Sequence, residues 1–309
     1  MPTSSGEYRI LSLDGGGSKG IYTIGVLSEI EALARRPLHE EFDLIYGTST
    51  GSIIASQIAL GLTLSEIREN YLRWIPKVMR HKTRRGRSTA LAEAAKEIYK
   101  DKSFSDLKCM IGIVTTNYDR ERPMIFKNSD AQAHAQVSTF KPGFGSDLSD
   151  AILASCAAFP FFGLRRVQTT NQGSPLLIDG GYVANNPSLF AIADAVKIFS
   201  GPRASIKLLS VGVGQYNEPN RSLLHRVLFS IWPFFMIQKM FAWSSNTVEQ
   251  LRVVLFPDIP CIRIDDAYPD SRYATDLLES DRAKLDMLAV LGRESYARRE
   301  ADLRRLFGW

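Results

Sequence analysis

Gly47-Thr48-Ser49-Thr50-Gly51 lies between two apolar runs of different character, and no other stretch restricts the chain as much. Phe42 to Tyr46 is short and rich in β-branched and aromatic residues, and reads as a buried strand. The run from Ile53 to Leu60 is longer, built on isoleucine and alanine, and stopped by Gly61, so it reads as a helix. A serine with glycine two residues away on each side, on a strand-to-helix turn, is the nucleophile-elbow pattern. The turn is too tight for bulky neighbours, and it lifts the Ser49 hydroxyl out above a helix N-terminus. The same five residues also occur in surface turns; the strand–helix setting is what favours a catalytic serine.

Chain length and charge narrow the field. The 309 residues suffice for one large α/β domain with a full core. The net charge of +5 suits anionic surfaces but does not choose between lipid headgroups and nucleotides. Cys109, Cys156 and Cys261 each sit in an apolar run, far from one another, with neither disulfide nor metal-ligand spacing. They read as buried thiols in a reducing compartment. The first residues have no basic and apolar leader pattern, and no apolar run reaches spanning length, so a soluble cytoplasmic protein is expected.

Upstream, the apolar run Arg9 to Leu13 reads as a first buried strand. It enters Asp14-Gly15-Gly16-Gly17-Ser18-Lys19-Gly20, and Ile21, Ile24, Leu27 and Ile30 then carry helical spacing. A glycine loop at a helix N-terminus aims backbone N–H groups at one spot, a site for negative charge. One reading is a dinucleotide site, since Gly15, Gly17 and Gly20 satisfy G-x-G-x-x-G. Against it, Asp14 would place a carboxylate beside the pyrophosphate. A P-loop is excluded because Lys19 is followed by Gly20, not by serine or threonine. The other reading is an oxyanion hole, each donor worth about 3 kcal/mol of barrier. The serine on the next strand favours it.

Further along, Thr63-Leu64-Ser65-Glu66 is a capping box opening a helix through Tyr71. Arg73 to Arg87 then holds seven Lys or Arg and no acid, with Trp74, Ile75, Val78 and Met79 interleaved. It reads as a solvated loop, with Arg80, Lys82, Arg84, Arg85 and Arg87 offering contacts to anionic lipid or to a phosphate-bearing regulator. A nucleic-acid polymer is disfavoured, since no binding motif accompanies this patch. Strands are expected over Met110 to Thr115 and Met124 to Phe126, a long loop over Asn128 to Gly145, and a helix from Asp147 to Ala158. Ile206 to Val213 reads as a buried strand, and Ser280 to Phe307 as a charged amphipathic helical tail. Val227 to Trp243 is aromatic-rich but broken by Pro233 and too short to span; core or a subunit interface, hence a homo-oligomer, is favoured over an acyl pocket or membrane face.

Leu176-Leu177-Ile178 is a short buried strand ending in Asp179-Gly180-Gly181, and Asn185-Asn186-Pro187 caps the next helix. Asp-Gly is a common turn, but an aspartate at a strand end can also take a proton from a nearby hydroxyl. A triad in the α/β-hydrolase order needs a histidine after the acid. His39, His81 and His134 all precede Asp179, and His225 has a helical context, so a Ser49–Asp179 dyad fits better. An ordinary aspartate, pKa ~3.9, is a weak base; burial would strengthen it.

The three motifs, in this order over Arg9 to about Val213, resemble those of the patatin-like phospholipases. The resemblance implies a three-layer α/β/α fold with a mostly parallel central sheet, in one domain over residues 1–309. Its motif core would be 8–213 and its C-terminal helical region 221–309. It also implies metal-free, cofactor-free hydrolysis of fatty acyl esters, with Ser49 as nucleophile and Asp179 as base. Gly15, Gly16 and Gly17 would supply oxyanion donors; Asp14, Lys19, Gly20, Gly47, Gly51, Gly180 and Gly181 would support them. Lys19 stands where the family often has arginine, and Phe159 displaces the proline that follows the small-residue helix by one position. The family includes phospholipase effectors of bacterial cyclic-oligonucleotide anti-phage systems, and a short chain with a basic patch resembles those most. That implies a cyclic nucleotide activator and a peripheral position at the inner face of the membrane. A thioesterase, a short-chain esterase, or a non-catalytic lipid- or nucleotide-binding protein are the alternatives.

Overall fold

A computed structural model describes residues 6–134, 137–217, 219 and 232–309. The first strand, β1 (Tyr8–Leu13), leads through the glycine loop into α1 (Gly20–Ala34). The second, β2 (Leu44–Thr48), leads through Ser49 into α2 (Thr50–Leu60), which Gly61 ends in the left-handed conformation. Helices α3 (Leu64–Arg80) and α4 (Arg84–Tyr99) follow, then β3 (Met110–Asn117) and β4 (Arg122–Lys127). After α5 (Leu148–Ser155) come β5 (Arg165–Arg166), β6 (Leu176–Asp179), α6 (Ser188–Ile198) and β7 (Ile206–Val211). The chain closes with α7 (Trp232–Leu255), β8 (Cys261–Ile264), α8 (Arg282–Ala297) and α9 (Glu300–Phe307).

Among the described residues the main sheet runs β5-β6-β3-β2-β1-β7-β8, with β4 on the free edge of β3. The β3-β2-β1-β7-β8 pairs are all parallel; β4 and β6 run antiparallel to β3. Alternate residues feed two cores, as a pleated strand requires. Leu11, Leu13, Ile45 and Ile113 pack with α1, α2, α3 and α8, whereas Ile10, Leu44, Tyr46 and Leu208 pack with Ala191, Ile192 and Ala195 of α6. The outcome is the expected three-layer α/β/α architecture.

Several local expectations change. The Thr63–Glu66 capping box is present, but its helix continues to Arg80, straight through Pro76. Arg73 to Arg87 is therefore two helix ends joined by three residues, not a loop. Its apolar members follow helical spacing, and Ile75, Val78 and Met79 are buried. Helix α5 stops at Ser155, three residues short of Ala158. The expected cap shifts by one residue: Pro187, not Asn186, is the N-cap of α6, and the Asn186 side chain accepts the Ser188 N–H at 3.0 Å from the position before it. The region past 221 is not solely helical: β8 extends the main sheet beside β7. Residues 221–231 of that region, with His225, lie outside the described residues. In the aromatic run, Phe241 is buried while Met240 and Trp243 are exposed.

One polar hub is buried in the α6 layer. Asp194 accepts hydrogen bonds from Tyr46 Oη at 2.5 Å and Lys127 Nζ at 2.7 Å, and Gln132 and His134 also reach it. Breaking a buried, hydrogen-bonded charge pair on one side strands the other. Asp194→Ala is expected to lower unfolding free energy by about 3–5 kcal/mol, measured by urea denaturation at neutral pH.

Candidate active site

Strand register brings the two key residues together. On one edge of β3, β2 pairs from Leu44↔Met110 to Thr48↔Val114. On that same edge β6 arrives from the opposite direction, pairing Asp179↔Thr115 and Ile178↔Thr116. The other edge there belongs to β4. Thr48 and Asp179 thus meet head-on, one residue step apart along β3, about 3.3 Å. Ser49, the next residue, places Oγ 2.7 Å from Asp179 Oδ2 and donates to it.

The elbow forces Ser49 to φ 53°, a region costly for a side chain, so surrounding contacts must hold it. Its N–H donates to Ser155 Oγ at 2.9 Å, and Ser155 Oγ donates to the Val114 carbonyl at 2.7 Å. Gly47 and Gly51 are needed for space. A Cβ on Gly47 would lie 2.5 Å from the Gly51 carbonyl oxygen, and one on Gly51 would lie 2.3 Å from that of Leu13.

Asp179 is fully buried. Burial pushes its pKa up to about 7, against hydrogen bonds from Ser49 and from the Gly181 N–H, the latter at 2.7 Å to Oδ1. Gly180 packs its Cα against the Val114 carbonyl, which sets the turn after Asp179. His39 lies beside Glu40, His81 beside Gly86 and His134 on Asp194, so these three are held away from the serine. Cys156 lies beside Ser49, but burial raises its thiol pKa, which leaves it un-ionised.

The glycine loop crosses the Ser49 end of the sheet. Gly15 does not offer a donor there: its N–H is committed to the Asn185 carbonyl at 3.0 Å. This corrects the expected donor set. The N–H groups of Gly16 and Gly17 donate to no such partner among the described residues, and both residues border the cleft into which Ser49 opens. Tyr71 Oη donates to the Gly17 carbonyl at 2.5 Å and takes the Thr50 hydroxyl at 2.8 Å, tying the loop to the elbow helix. Gly20 starts α1 against the same pair. Asp14 is buried and its carboxylate is held by both Arg263 amines at 2.8 and 2.6 Å. Burial pushes Asp14 up to about 6, with Arg263 opposing, so it stays ionised at neutral pH.

The Ser49 cleft, about 510 Å³ with its mouth, is lined by apolar side chains including Ile53, Ile75, Met79, Leu91, Phe161 and Phe241. Phe241 moves part of the aromatic run from the expected core or interface to the cleft. Lys19 faces elsewhere, into a polar cavity on the far side of the glycine loop. Arg80, Lys82, Arg84 and Arg85 are exposed, with Arg84 5.3 Å from the centre of the exposed Phe159 ring. Arg87 leaves that surface: it is half-buried and reaches within 3.5 Å of the Phe161 carbonyl.

Sequence reasoning missed Tyr71, Ser155, Ser245 and Arg263, each single residues without a motif and distant in sequence from what they hold. No group of metal-ligating residues was found among the described residues, and no described helix is long and apolar enough to cross a membrane.

The profile of the family described as patatin-like phospholipase matches residues 11–192. A cUMP-AMP-activated phospholipase of Escherichia coli is 48% identical over 296 residues, covering 96% of this chain and 92% of that protein. A cGAMP-activated phospholipase of Vibrio cholerae is 32% identical over 237 residues, covering 67% of this chain and 64% of that protein. Among solved structures, VipD from Legionella pneumophila has a TM-score of 0.47 at 13% identity, over 96% of this chain and 69% of its own.

A serine hydroxyl bonded to a carboxylate gains nucleophilicity only when that carboxylate is ionised to accept its proton. Covalent labelling of Ser49 by a fluorophosphonate is therefore expected to rise with pH and reach half its plateau rate near pH 7. One pH unit lower the rate should be about tenfold below the plateau, read by stopped-time mass spectrometry of the labelled peptide.

Proposed function

Because this chain belongs to the patatin-like phospholipase family, we propose that it is a phospholipase A-type acyl hydrolase working through Ser49 and Asp179. The observation that carries this reading is the 2.7 Å Ser49–Asp179 hydrogen bond at the floor of an apolar cleft. Ser49 Oγ attacks the acyl carbonyl carbon while its proton passes to Asp179. The carbonyl oxygen becomes an anion, held by the Gly16 and Gly17 N–H groups. Collapse breaks the ester C–O bond, and Asp179 returns the proton to the departing lysolipid oxygen. Water then attacks the acyl-enzyme as Asp179 takes its proton, and collapse breaks the bond from the acyl carbon to Ser49 Oγ, which receives that proton from Asp179 as the fatty acid leaves.

The apolar lining favours a long acyl chain over the substrate of a short-chain esterase, since each buried CH₂ contributes about 0.8 kcal/mol. A thioesterase would share the same chemistry, and substrate profiling separates it. Residues 1–309 are read as one acyl-hydrolase unit, supported by β8 joining the sheet that carries Ser49.

Two partners complete the proposal. A cyclic dinucleotide activates the enzyme, cUMP-AMP first among candidates given the relative matched along nearly the whole chain. The protein also docks peripherally on anionic phospholipid through Arg80, Lys82, Arg84 and Arg85, with Phe159 beside them as an apolar contact.

Wild-type protein with cUMP-AMP should release fatty acid and lysolipid from phospholipid vesicles, measured by mass spectrometry. Ser49→Ala should release at least ~10³-fold less, and equal release would refute the dyad. Reversing two charges with Arg84→Glu and Arg85→Glu should weaken binding to anionic vesicles about tenfold or more in flotation assays at low salt. High salt should shrink that difference.

A further inference from the structure

The polar cavity behind the glycine loop is not used by the chemistry above. It has a volume of about 910 Å³ including its mouth, within the range of small-molecule sites. Its walls carry Lys19, Gln215, Tyr216, Lys239, Asn246 and Thr275, a set of cationic, amide and hydroxyl groups very unlike the lining of the Ser49 cleft. Two of its acids are already engaged: Asp14 binds Arg263, and Asp265 binds Arg263 and the Gly214 N–H. The Lys19 ammonium makes no hydrogen bond or ion pair among the described residues; the charges of Asp265 and Asp276, and the like charge of Lys239, act on it from nearby. The hydroxyls of Tyr216 and Thr275 are shielded from water and have no hydrogen-bond partner among the described residues. A polar group buried in that way costs about 1–3 kcal/mol, a sign of a partner yet to bind.

What lies against this cavity matters as much as what lines it. Gly16, Phe241 and Leu277 border both it and the Ser49 cleft. Helix α7 forms one wall with Gln238, Lys239 and Asn246. Ser245, on that helix, donates to Asp14 at 3.2 Å and accepts from Asn185 at 2.9 Å. Phe241 sits over Gly181, two residues past Asp179. A molecule in this cavity therefore touches the helix that is fastened both to the glycine loop and to the segment after Asp179.

We propose that this cavity binds the phosphodiester and base edges of a cyclic dinucleotide, with Lys19 and Lys239 as its cationic contacts, and that occupancy sets α7 and the glycine loop against Ser49. The inference rests on the nucleotide-activated reading given above. The number of amide and hydroxyl groups exceeds what a lipid headgroup needs and suits the edges of nucleobases.

The test is calorimetric titration of the full chain with cUMP-AMP, for wild type, Lys239→Glu and Tyr216→Phe, each checked for folding by its thermal midpoint. Lys239 is exposed, so its reversal leaves the core intact. Lys239→Glu should raise Kd about tenfold or more, and Tyr216→Phe a few-fold, the ordinary effects of losing a charge-assisted and a neutral hydrogen bond. The nucleotide concentration for half-activation of fatty-acid release should move by the same factors. If wild type binds cUMP-AMP and both variants bind it equally well, the cavity is not the site, while activation itself stands. Should the variants raise only the lipid KM, the cavity serves the headgroup and the assignment is overturned. Absence of binding of either cUMP-AMP or cGAMP to wild type would overturn both the site and the activation.

Discussion

The site is built around a carboxylate that has no cation beside it among the described residues. Asp179 is fully buried, and its named hydrogen bonds come from one hydroxyl and one backbone N–H. Those are enough to orient it but not enough to offset desolvation, so it becomes a base near neutrality. The sheet supplies that isolation. Two strands meet end to end on one edge of β3, and their meeting point is closed by α5 through Ser155 and by the tight turns at Gly47 and Gly180.

Asp14 shows the opposite treatment a short distance away. It too lies at a strand end and is too deeply buried to be solvated, yet it carries a bidentate guanidinium. An ion pair of this kind fixes geometry more than it stabilises, because desolvation cancels much of the attraction. Here the geometry is the use: Asp14 begins the loop whose Gly16 and Gly17 border the cleft. The two aspartates have different jobs because one has Arg263 and the other has a serine.

Much of this was legible locally. The elbow, the glycine loop and Asp179-Gly180-Gly181 are short segments whose residue types state their own backbone requirements, and the strands and helices around them follow from apolar spacing. What was not legible was contact across the sequence. Arg263 lies far from Asp14, Tyr71 from Gly17 and Ser155 from Ser49, and no spacing rule ties such partners. The basic stretch was misread for another reason. Ile67, Tyr71, Ile75, Val78 and Met79 form one buried helical stripe, but the density of basic residues reads as a solvated loop. Packing of that stripe outweighs the hydrogen bond a proline removes. The donor assignment of Gly15 failed similarly, since only the fold reveals that the Asn185 carbonyl already takes its N–H.

The supports of the glycine loop divide the chain in an informative way. Ser49, Asp179 and Tyr71 lie within the segment 11–192 shared with the family, whereas Arg263, Ser245 and Phe241 lie beyond it. The shared part contains Ser49, Asp179 and the glycine loop; the later part contributes the Arg263 and Ser245 contacts that fasten Asp14, and Phe241 on one wall of the cleft. A loop whose anchoring carboxylate depends on two residues from a separate helix and strand can be retuned by moving those elements, with no change to the dyad. Helix α7 is well placed for that. Its inner face carries Phe241 and Ser245, while Met240, Trp243 and Val254 remain exposed on its outside. A change in α7 or β8 can therefore reach the glycine loop without altering the Ser49–Asp179 contact, because the two rest on different parts of the chain that meet at a single loop.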